Sequence, residues 1–280
     1  MTARTRGDYL QSLYSLGGQA AIVTGGTGVL GRTMATALAM AGAKVAILGR
    51  RSAAAAEVAA EIQAQGGEAL AVTGNVLDRD SLVAARERVM AEWGAVHVLV
   101  NAAGGNTAAA TVGETADLFT MSASAFKEVV DLNLTGTLLP SLVFGEAIVE
   151  SGGGSIVNVS SMSASRALTR VAGYGAAKAA VENLTRSLAV ELGQRHGDSI
   201  RVNAIAPGFF VGEQNRSLLL ESDGTPTKRG SAIIEHTPAG RFGVPDDLAG
   251  ALVWLCGPGA RFVNGVVIAI DGGFSAFSGI

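Results

Sequence analysis

Tyr174 and Lys178 stand four positions apart, and their types and spacing could perform acid–base chemistry. The stretch around them predicts a helix, on which residues four apart share one face. A free tyrosine, with a pKa of about 10, exchanges protons poorly at neutral pH, but a nearby lysine ammonium stabilises the phenolate and lowers that pKa. Thirteen residues before the tyrosine, Ser160 and Ser161 close a predicted strand, from which a hydroxyl could bind the same carbonyl oxygen. A Tyr/Lys pair by itself also fits a plain surface helix.

A glycine-rich turn, residues 24–31 (TGGTGVLG), follows a predicted strand and precedes an apolar helix. Its glycines match the G-x-G-x-x-G spacing of dinucleotide-binding turns. Glycines let the backbone approach a pyrophosphate closely, and the helix N-terminus presents unpaired amides and a partial positive charge to it. Such turns also occur without ligands, but the placement between strand and helix favours a cofactor. The expected cofactor contacts are Gly25, Gly26, Thr27, Gly28, Val29, Leu30 and Gly31.

The second predicted strand ends beside Arg50 and Arg51, about 20 residues past the glycines. At this place an acidic residue would hold the ribose hydroxyls of NAD, whereas an arginine favours the 2′-phosphate of NADP. No acid appears before Glu57. The sequence therefore favours NADP, with NAD as the alternative, since either arginine could instead lie over the adenine or point into solvent.

Short runs rich in valine and isoleucine must position these residues, and they alternate with longer alanine-rich stretches. The predicted strands cover residues 20–24, 44–48, 69–72, 96–101, 155–159, 200–204 and 266–270. The runs are continuously apolar, as in strands buried on both faces. Strands alternating with helices predict right-handed crossovers, hence an α/β, doubly wound Rossmann fold with a seven-stranded parallel sheet. Ligands should then bind beyond the carboxyl ends of the strands.

We interpret residues 1–280 as a single domain, because no Pro/Ser-rich or charged linker interrupts them. Residues 209–240 break the rhythm, since they contain no clear strand but several polar side chains. A long irregular segment in a compact domain is more often a functional lid than an idle loop. We therefore assign it to substrate binding.

The composition excludes several classes of protein. With 48% apolar and 16% charged residues the chain is globular, and a net charge of -3 without a basic cluster argues against nucleic-acid binding. No apolar run approaches the roughly 18 residues of a membrane span, and the N-terminus has no apolar signal segment. The lone Cys256 cannot form an internal disulfide, so we expect a cytoplasmic protein. No cluster has metal-ligand spacing, so we expect no metal.

In combination, these motifs resemble the short-chain dehydrogenase/reductase family over nearly the whole chain. The resemblance is carried by the glycine turn, residues 101–104 (NAAG), Asn133, Ser161, the Tyr174/Lys178 pair and residues 203–208 (NAIAPG), in the family's order and spacing. It implies an enzyme that interconverts a carbonyl and a secondary alcohol with a nicotinamide cofactor. By the same resemblance Tyr174 is the general acid/base, Ser161 orients the carbonyl, Lys178 binds the nicotinamide ribose, and Asn133 holds a water of the proton relay. The spacing to the tyrosine favours Ser161 over Ser160.

The resemblance also implies a homotetramer and further cofactor contacts. These contacts are Asn75, Val76, Asn101, Ala102, Ala103, Gly104, Pro207 and Gly208, besides Tyr174 and Lys178. Three residues depart from the family's pattern. Val29 replaces the middle glycine of the commonest turn, Asn75 replaces an aspartate that receives the adenine amine, and Gly212 replaces a threonine that holds the nicotinamide carboxamide.

A more detailed resemblance is to the family branch of D-mannonate oxidoreductases or fructuronate reductases, carried by residues 24–31, 103–106, 207–210, 213–216, 240–243 and 271–279. A sugar acid presents one carboxylate and many hydroxyls. The carboxylate suits the planar guanidinium of an arginine, and the hydroxyls suit side-chain amides. The expected substrate contacts are Asn106, Ser161, Arg166, Phe209, Gln214, Asn215 and Arg216. Either arginine could instead be a solvated charge. The alternatives are a 3-oxoacyl-thioester or other ketone reductase, which would present an apolar channel, and a non-catalytic nucleotide-binding regulator, which would be expected to lack the tyrosine or lysine.

Overall fold

One sheet of seven parallel strands organises the chain in this computed structural model, which describes residues 5–113, 115–213 and 215–279. The strands are β1 (Ala20–Thr24), β2 (Lys44–Gly49), β3 (Glu68–Thr73), β4 (Val98–Asn101), β5 (Gly154–Val159), β6 (Ile200–Pro207) and β7 (Val267–Ile270). Their order across the sheet is β3-β2-β1-β4-β5-β6-β7. The direction of the winding reverses between β1 and β4, where open α/β sheets bind their ligands.

The α-helices connect the strands and cover both faces of the sheet. They are α1 (Arg6–Tyr14), α2 (Val29–Met40), α3 (Ser52–Ala64), α4 (Arg79–Trp93), α5 (Ala123–Val130), α6 (Gly136–Glu150), α7 (Ala172–His196), α8 (Arg216–Leu219), α9 (Lys228–Glu235) and α10 (Ala249–Cys256). Short 3₁₀ turns occur at Ala108–Ala110, Leu118–Thr120, Met162–Ala164, Gly197–Ser199, Pro245–Leu248 and Pro258–Ala260, and a π-helical turn, Asp131–Thr135, joins α5 to α6. The doubly wound α/β fold is therefore confirmed.

Two apolar clusters, one on each side of the sheet, form the core. The first contains Met34, Leu38 and Ile62 with Val23 of β1, and the second contains Phe144 and Ile148 with Ile22 of the same strand. Because successive residues of a strand point to opposite faces, a strand that serves both clusters must be apolar at every position. This explains why all five residues of β1 and all eight of β6 are buried.

The strand boundaries differ from the predicted ones by a few residues. β6 continues to Pro207, where it pairs with Ile270 of β7, so it carries the chain three residues further toward the carboxyl edge than predicted. β4 begins at Val98 rather than at residue 96, and the Val96 amide donates to Ser151 Oγ. Both differences arise from pairing partners distant in sequence.

Residues 209–240 contain two short helices, α8 and α9, rather than a wholly irregular segment. A bridge between Leu220 and Pro226 closes the loop around Asp223, whose carboxylate accepts from the Thr225 amide and hydroxyl. In agreement with the sequence, the described residues of this region form only isolated bridges and no strand.

The continuous helical run from Ala123 to Glu150 is long and apolar enough to cross a membrane by length and composition, and 56% of its most apolar window is buried within the fold. Phe144 and Ile148 on this run are fully buried against the sheet. Its apolar side chains are therefore used in the core.

Candidate active site

Tyr174 and Lys178 lie together on the first turns of α7, at the carboxyl edge of the sheet. Lys178 Nζ lies 5.6 Å from the centroid of the Tyr174 ring and donates a 2.7 Å hydrogen bond to the Val159 carbonyl at the end of β5. The lysine is only 4% exposed. The helical spacing thus produces the expected shared face, and one hydrogen bond ties that face to the sheet.

Of the two candidate serines, Ser161 faces the tyrosine. Its side chain lies close enough to Tyr174 to favour the phenolate, and its oxygen accepts from the Ser163 amide at 3.2 Å, which fixes the side chain at the start of a 3₁₀ turn. Ser160 Oγ instead donates to Glu182 Oε1 at 3.0 Å. The two neighbouring hydroxyls are therefore committed to different partners.

The predicted lowering of the Tyr174 pKa by Lys178 is wrong for this structure. Burial raises the pKa of Tyr174 above its ordinary value, and only the hydrogen bond from Ser161 opposes that rise. Lys178 Nζ is directed to the Val159 carbonyl, and burial lowers its own pKa to about 8. The phenol is consequently held protonated, the form that can donate a proton to a developing alkoxide.

Asn133 lies in the π-helical turn and is fully buried. Its side-chain amide donates to the carbonyls of Gly105 (2.7 Å) and Val129 (2.8 Å), and its Oδ1 accepts from the Gly105 amide at 3.0 Å. Both amide hydrogens are thus used within the protein, so the side chain positions the segment after β4. π-helical turns are frequent at functional sites, but nothing in the sequence indicated this one.

The glycine turn packs directly against the chain leaving β4. Gly25 has a φ of +65°, and a Cβ at this position would lie 2.7 Å from the Ala103 nitrogen. A Cβ on Gly31 would overlap the Gly25 carbonyl oxygen. Only glycine fits at these two positions, because one needs a left-handed backbone and both need close approach.

The turn fits the pyrophosphate of a dinucleotide. Gly28 precedes α2 and no side chain caps this helix, so its first amides are available to an anion. Thr27 packs beside Gly49 at the end of β2, Leu30 lies against the core, and Val29 is 40% exposed. The departure at Val29 therefore leaves the turn intact, because its side chain points outward.

The segment after β4 lines the same edge. The Ala103 amide donates to Thr24 Oγ1 at 3.2 Å, so Ala102, Ala103 and Gly104 run beside the glycine turn. Asn101 differs, because its amide donates to Ser141 Oγ and Asn158 Oδ1, both at 2.9 Å, inside the protein. Its side chain braces β4 and β5 and does not face the cleft.

The remaining predicted cofactor residues surround this edge. Arg50 and Arg51 are exposed at the end of β2, and neither forms an ion pair within the described part of the chain. Asn75 Oδ1 accepts from the Leu77 amide, and Val76 is buried. Pro207 ends β6, and Gly208 packs against Asp271, where a Cβ would lie 2.7 Å from the aspartate backbone.

Two of the predicted substrate residues hold other parts of the chain. Arg166 donates through Nε to the Ser275 carbonyl at 2.7 Å, so it holds the C-terminal segment. Asn215 donates to the Phe210 carbonyl and accepts from the Gly212 amide at 2.8 Å, so it shapes the turn at Gly212. These two side chains are therefore engaged in structural contacts.

Three other candidates, Asn106, Phe209 and Arg216, lie within the described residues. Asn106 donates to Thr111 Oγ1 at 2.7 Å, and its buried Oδ1 has no partner among the described residues. Phe209 packs edge to face on Phe274 with 5.1 Å between centroids, and it lines a cavity of about 370 Å³. Arg216 is exposed at the start of α8 and forms no ion pair within the described ranges, and Gln214 lies outside them.

Sequence reasoning missed Arg170. It lies between the catalytic serine and tyrosine and has a φ of +76°, the one non-glycine residue with positive φ in the described part of the chain. Its Nε donates to the Val112 carbonyl at 2.7 Å, and its own carbonyl accepts from the Val112 amide at 3.0 Å. A left-handed arginine costs roughly 1–3 kcal/mol, which the sequence does not reveal because only the surrounding fold imposes it.

A glycine turn at the switch point of a doubly wound sheet, with a buried Tyr/Ser/Lys group beside it, defines a nucleotide-dependent oxidoreductase. A family model described as enoyl-(acyl carrier protein) reductase matches residues 27–275. The chain belongs to the short-chain dehydrogenase/reductase family and is an NAD(P)-dependent enzyme.

Individual relatives align with this chain over nearly its full length. An uncharacterized oxidoreductase of Bacillus subtilis is 44% identical over 95% of this chain and 98% of its own. The crystal structure of a protein assigned as a D-mannonate oxidoreductase from Haemophilus influenzae, with bound NAD, has a TM-score of 0.89, 40% identity and coverage of 97% and 100%. A gluconate 5-dehydrogenase from Burkholderia cenocepacia in complex with NADP and tartrate has a TM-score of 0.84, 30% identity and coverage of 95% and 99%.

Proposed function

We propose that the protein interconverts a sugar acid and its keto form, with D-mannonate and D-fructuronate as the pair of first choice and NADP as the preferred cofactor. The observation that carries the proposal is the placement of Tyr174 beside Ser161 and above Lys178, at the sheet edge that holds the glycine turn. This arrangement joins a proton donor to a dinucleotide site.

The residues divide the work of carbonyl reduction. A bound nicotinamide cofactor supplies the hydride for the carbonyl carbon. Tyr174 donates its proton to the carbonyl oxygen, and the Ser161 hydroxyl orients that oxygen and stabilises its growing negative charge. Lys178 lies beneath the tyrosine, with its Nζ 5.6 Å from the centroid of the Tyr174 ring, where it would bind the ribose of the nicotinamide. Asn133 keeps the segment after β4 in place through its hydrogen bonds to Gly105.

Two features support a sugar acid as the substrate. Relatives of similar fold carry the names of mannonate and gluconate enzymes. Residues 209–240 bring the exposed Arg216 of α8 and the half-buried Arg229 of α9 to the surface, and a carboxylate pairs well with an arginine. The alternative is a reductase of 3-oxoacyl thioesters, since the matching family model is described as an enoyl-(acyl carrier protein) reductase, which also acts on an acyl thioester.

The cofactor preference rests on Arg50 and Arg51. Both arginines are exposed where β2 ends, and a guanidinium there suits the 2′-phosphate of NADP. One relative of known structure holds NAD and another holds NADP, so the family's scaffold accepts either form. A lower KM for NAD than for NADP would reject this part of the proposal.

The substrate class is tested by assaying D-fructuronate, 5-ketogluconate and an acetoacetyl thioester side by side with NADPH and with NADH. We expect the highest kcat/KM for D-fructuronate with NADPH. A clear preference for the thioester would overturn the sugar-acid assignment and leave the oxidoreductase class standing.

We further propose that residues 1–280 form a single domain with residues 209–240 as its substrate-binding insertion, and that the enzyme works as a homotetramer in the cytoplasm. The edge strand β7 supports the assembly, because its residues are only partly buried whereas β6 is fully buried. Light scattering of the purified protein measures the assembly state directly, and a monomer would refute the proposed tetramer.

A further inference from the structure

Arg170 has a strained backbone conformation in the loop that leads into α7. It lies four residues before Tyr174, and its φ of +76° belongs to the left-handed region that favours glycine. A non-glycine residue keeps such a conformation only when its surroundings impose it, and such residues concentrate at ligand-binding sites. The strain alone does not identify a ligand, so the contacts around Arg170 decide its use.

Two hydrogen bonds lock Arg170 onto the segment that follows β4. Val112 receives a bond from Arg170 Nε at 2.7 Å and gives one to the Arg170 carbonyl at 3.0 Å. The same segment is held by Asn133 at Gly105, and its Ala110 belongs to the small apolar cluster against which Tyr174 packs. The segment after β4 therefore contacts both Arg170 and Tyr174, and it fixes the position of one relative to the other.

The two Nη groups of the Arg170 guanidinium remain available to bind a ligand. Nε is used, but within residues 5–113, 115–213 and 215–279 no carboxylate lies close enough to Arg170 to form an ion pair. The side chain is half-buried, where a charge without an anionic partner is less well solvated. Arg229 of α9 lies beside the preceding residue, with its Nη1 3.3 Å from Thr169 Oγ1. Arg229 therefore contacts the residue next to Arg170 in the chain.

We propose that Arg170 binds the carboxylate of the substrate while Tyr174 and Ser161 hold its carbonyl end. The inference rests on the proposed function, since it needs an acidic substrate. A planar guanidinium with two free Nη groups matches a carboxylate bidentately, and its rigid attachment to Val112 fixes the distance between the substrate's two ends. Arg166, which we predicted for this role, already holds the Ser275 carbonyl.

The experiment compares the oxidation of D-mannonate with that of D-mannitol, which has a hydroxymethyl group in place of the carboxylate. Arg170→Gly removes the guanidinium and suits the left-handed backbone, so the variant keeps its fold. We expect its kcat/KM for D-mannonate to fall about 10- to 100-fold through KM, and that for D-mannitol to stay within about twofold. Arg170→Lys should recover part of the loss, because lysine keeps the charge without the fork.

Two controls separate recognition from structure. Arg195→Gln removes an exposed arginine at the far end of α7 and should change neither substrate's kinetics. Glu114→Gln tests the acidic residue that follows Val112 by two positions and lies outside the described residues. It should leave D-mannonate oxidation unchanged.

The outcomes distinguish the role of Arg170 from the sugar-acid function of the enzyme. Equal losses on both substrates in Arg170→Gly, or a loss reproduced by Glu114→Gln, would overturn the carboxylate role and assign Arg170 to structure alone. A wild-type enzyme without preference for D-mannonate over D-mannitol would refute the sugar-acid function itself, and the carboxylate role with it.

Discussion

Gly104 stands where two groups of the active site meet, and replacing it with alanine perturbs both. A Cβ at this position would lie 2.6 Å from Asn133 Oδ1 and 3.2 Å from Lys178 Nζ. Carbon and oxygen in ordinary contact stand about 3.4 Å or more apart, so Asn133 must move by about 1 Å. The backbone of Gly104 is outside the left-handed region, and the effect is therefore steric.

The size of the effect follows from the contacts that Asn133 loses. Its two hydrogen bonds to Gly105 contribute roughly 0.5–1.5 kcal/mol each, so their loss costs about 1–3 kcal/mol. In a domain of this size each kcal/mol lowers Tm by about 2–4 °C. A displacement of about 1 Å in the residues that position an active site can cost about 100-fold in rate. We expect Gly104→Ala to lose about 100-fold in kcat/KM and several degrees in Tm.

The assay combines steady-state kinetics with thermal unfolding and uses Gly250→Ala as a matched control. Gly250 lies on α10, where a Cβ would meet nothing within 4 Å, so the control should keep full activity and gain about 0.5–1 kcal/mol from the higher helix propensity of alanine. A Gly104→Ala enzyme with normal kcat/KM and normal Tm would refute the claim that the side chains of Asn133 and Lys178 both lie against Gly104.

Two further predictions concern buried titratable groups. Burial lowers the pKa of Lys178 from 10.5 to about 8, so the unfolded chain binds more protons between these values and folding stability rises with pH across that window. Urea unfolding measures the free energy of unfolding of wild type and of Lys178→Met at each pH. Between about pH 7 and 10.5, the difference between the two should shift in favour of wild type by about 3 kcal/mol. A difference that does not change with pH would contradict the burial of the ammonium. Burial raises the pKa of Cys256 to about 12 against the opposing effect of Arg201, so Ellman's reagent should label the native protein very slowly and the denatured protein at its one cysteine. Fast labelling of native protein would show that the thiol is accessible.

The sequence predicts the sheet well because its signal is local. A strand buried on both faces must be apolar along its whole length, as in residues 20–24, and the first strand's predicted bounds match β1. The helix face shared by Tyr174 and Lys178 also follows from local geometry. These features need no knowledge of distant contacts.

The parts that failed depend on contacts distant in sequence. The direction of the Tyr174 pKa is set by burial, which the i, i+4 spacing does not report. Arg166 reads as a free arginine until the fold brings Ser275 to it, 109 residues later. The left-handed backbone of Arg170 depends on Val112, and no residue type in that loop predicts it.

The most direct test of the account is the Tyr174→Phe variant, measured for turnover and for cofactor affinity in the same preparation. Phenylalanine removes only the hydroxyl beside Ser161 and keeps the ring beside Lys178. We predict that kcat falls by about 10²- to 10⁴-fold, while the Kd for NADPH, followed by its fluorescence, stays within about twofold. A variant with kcat close to that of wild type would contradict the claim that Tyr174 is the proton donor.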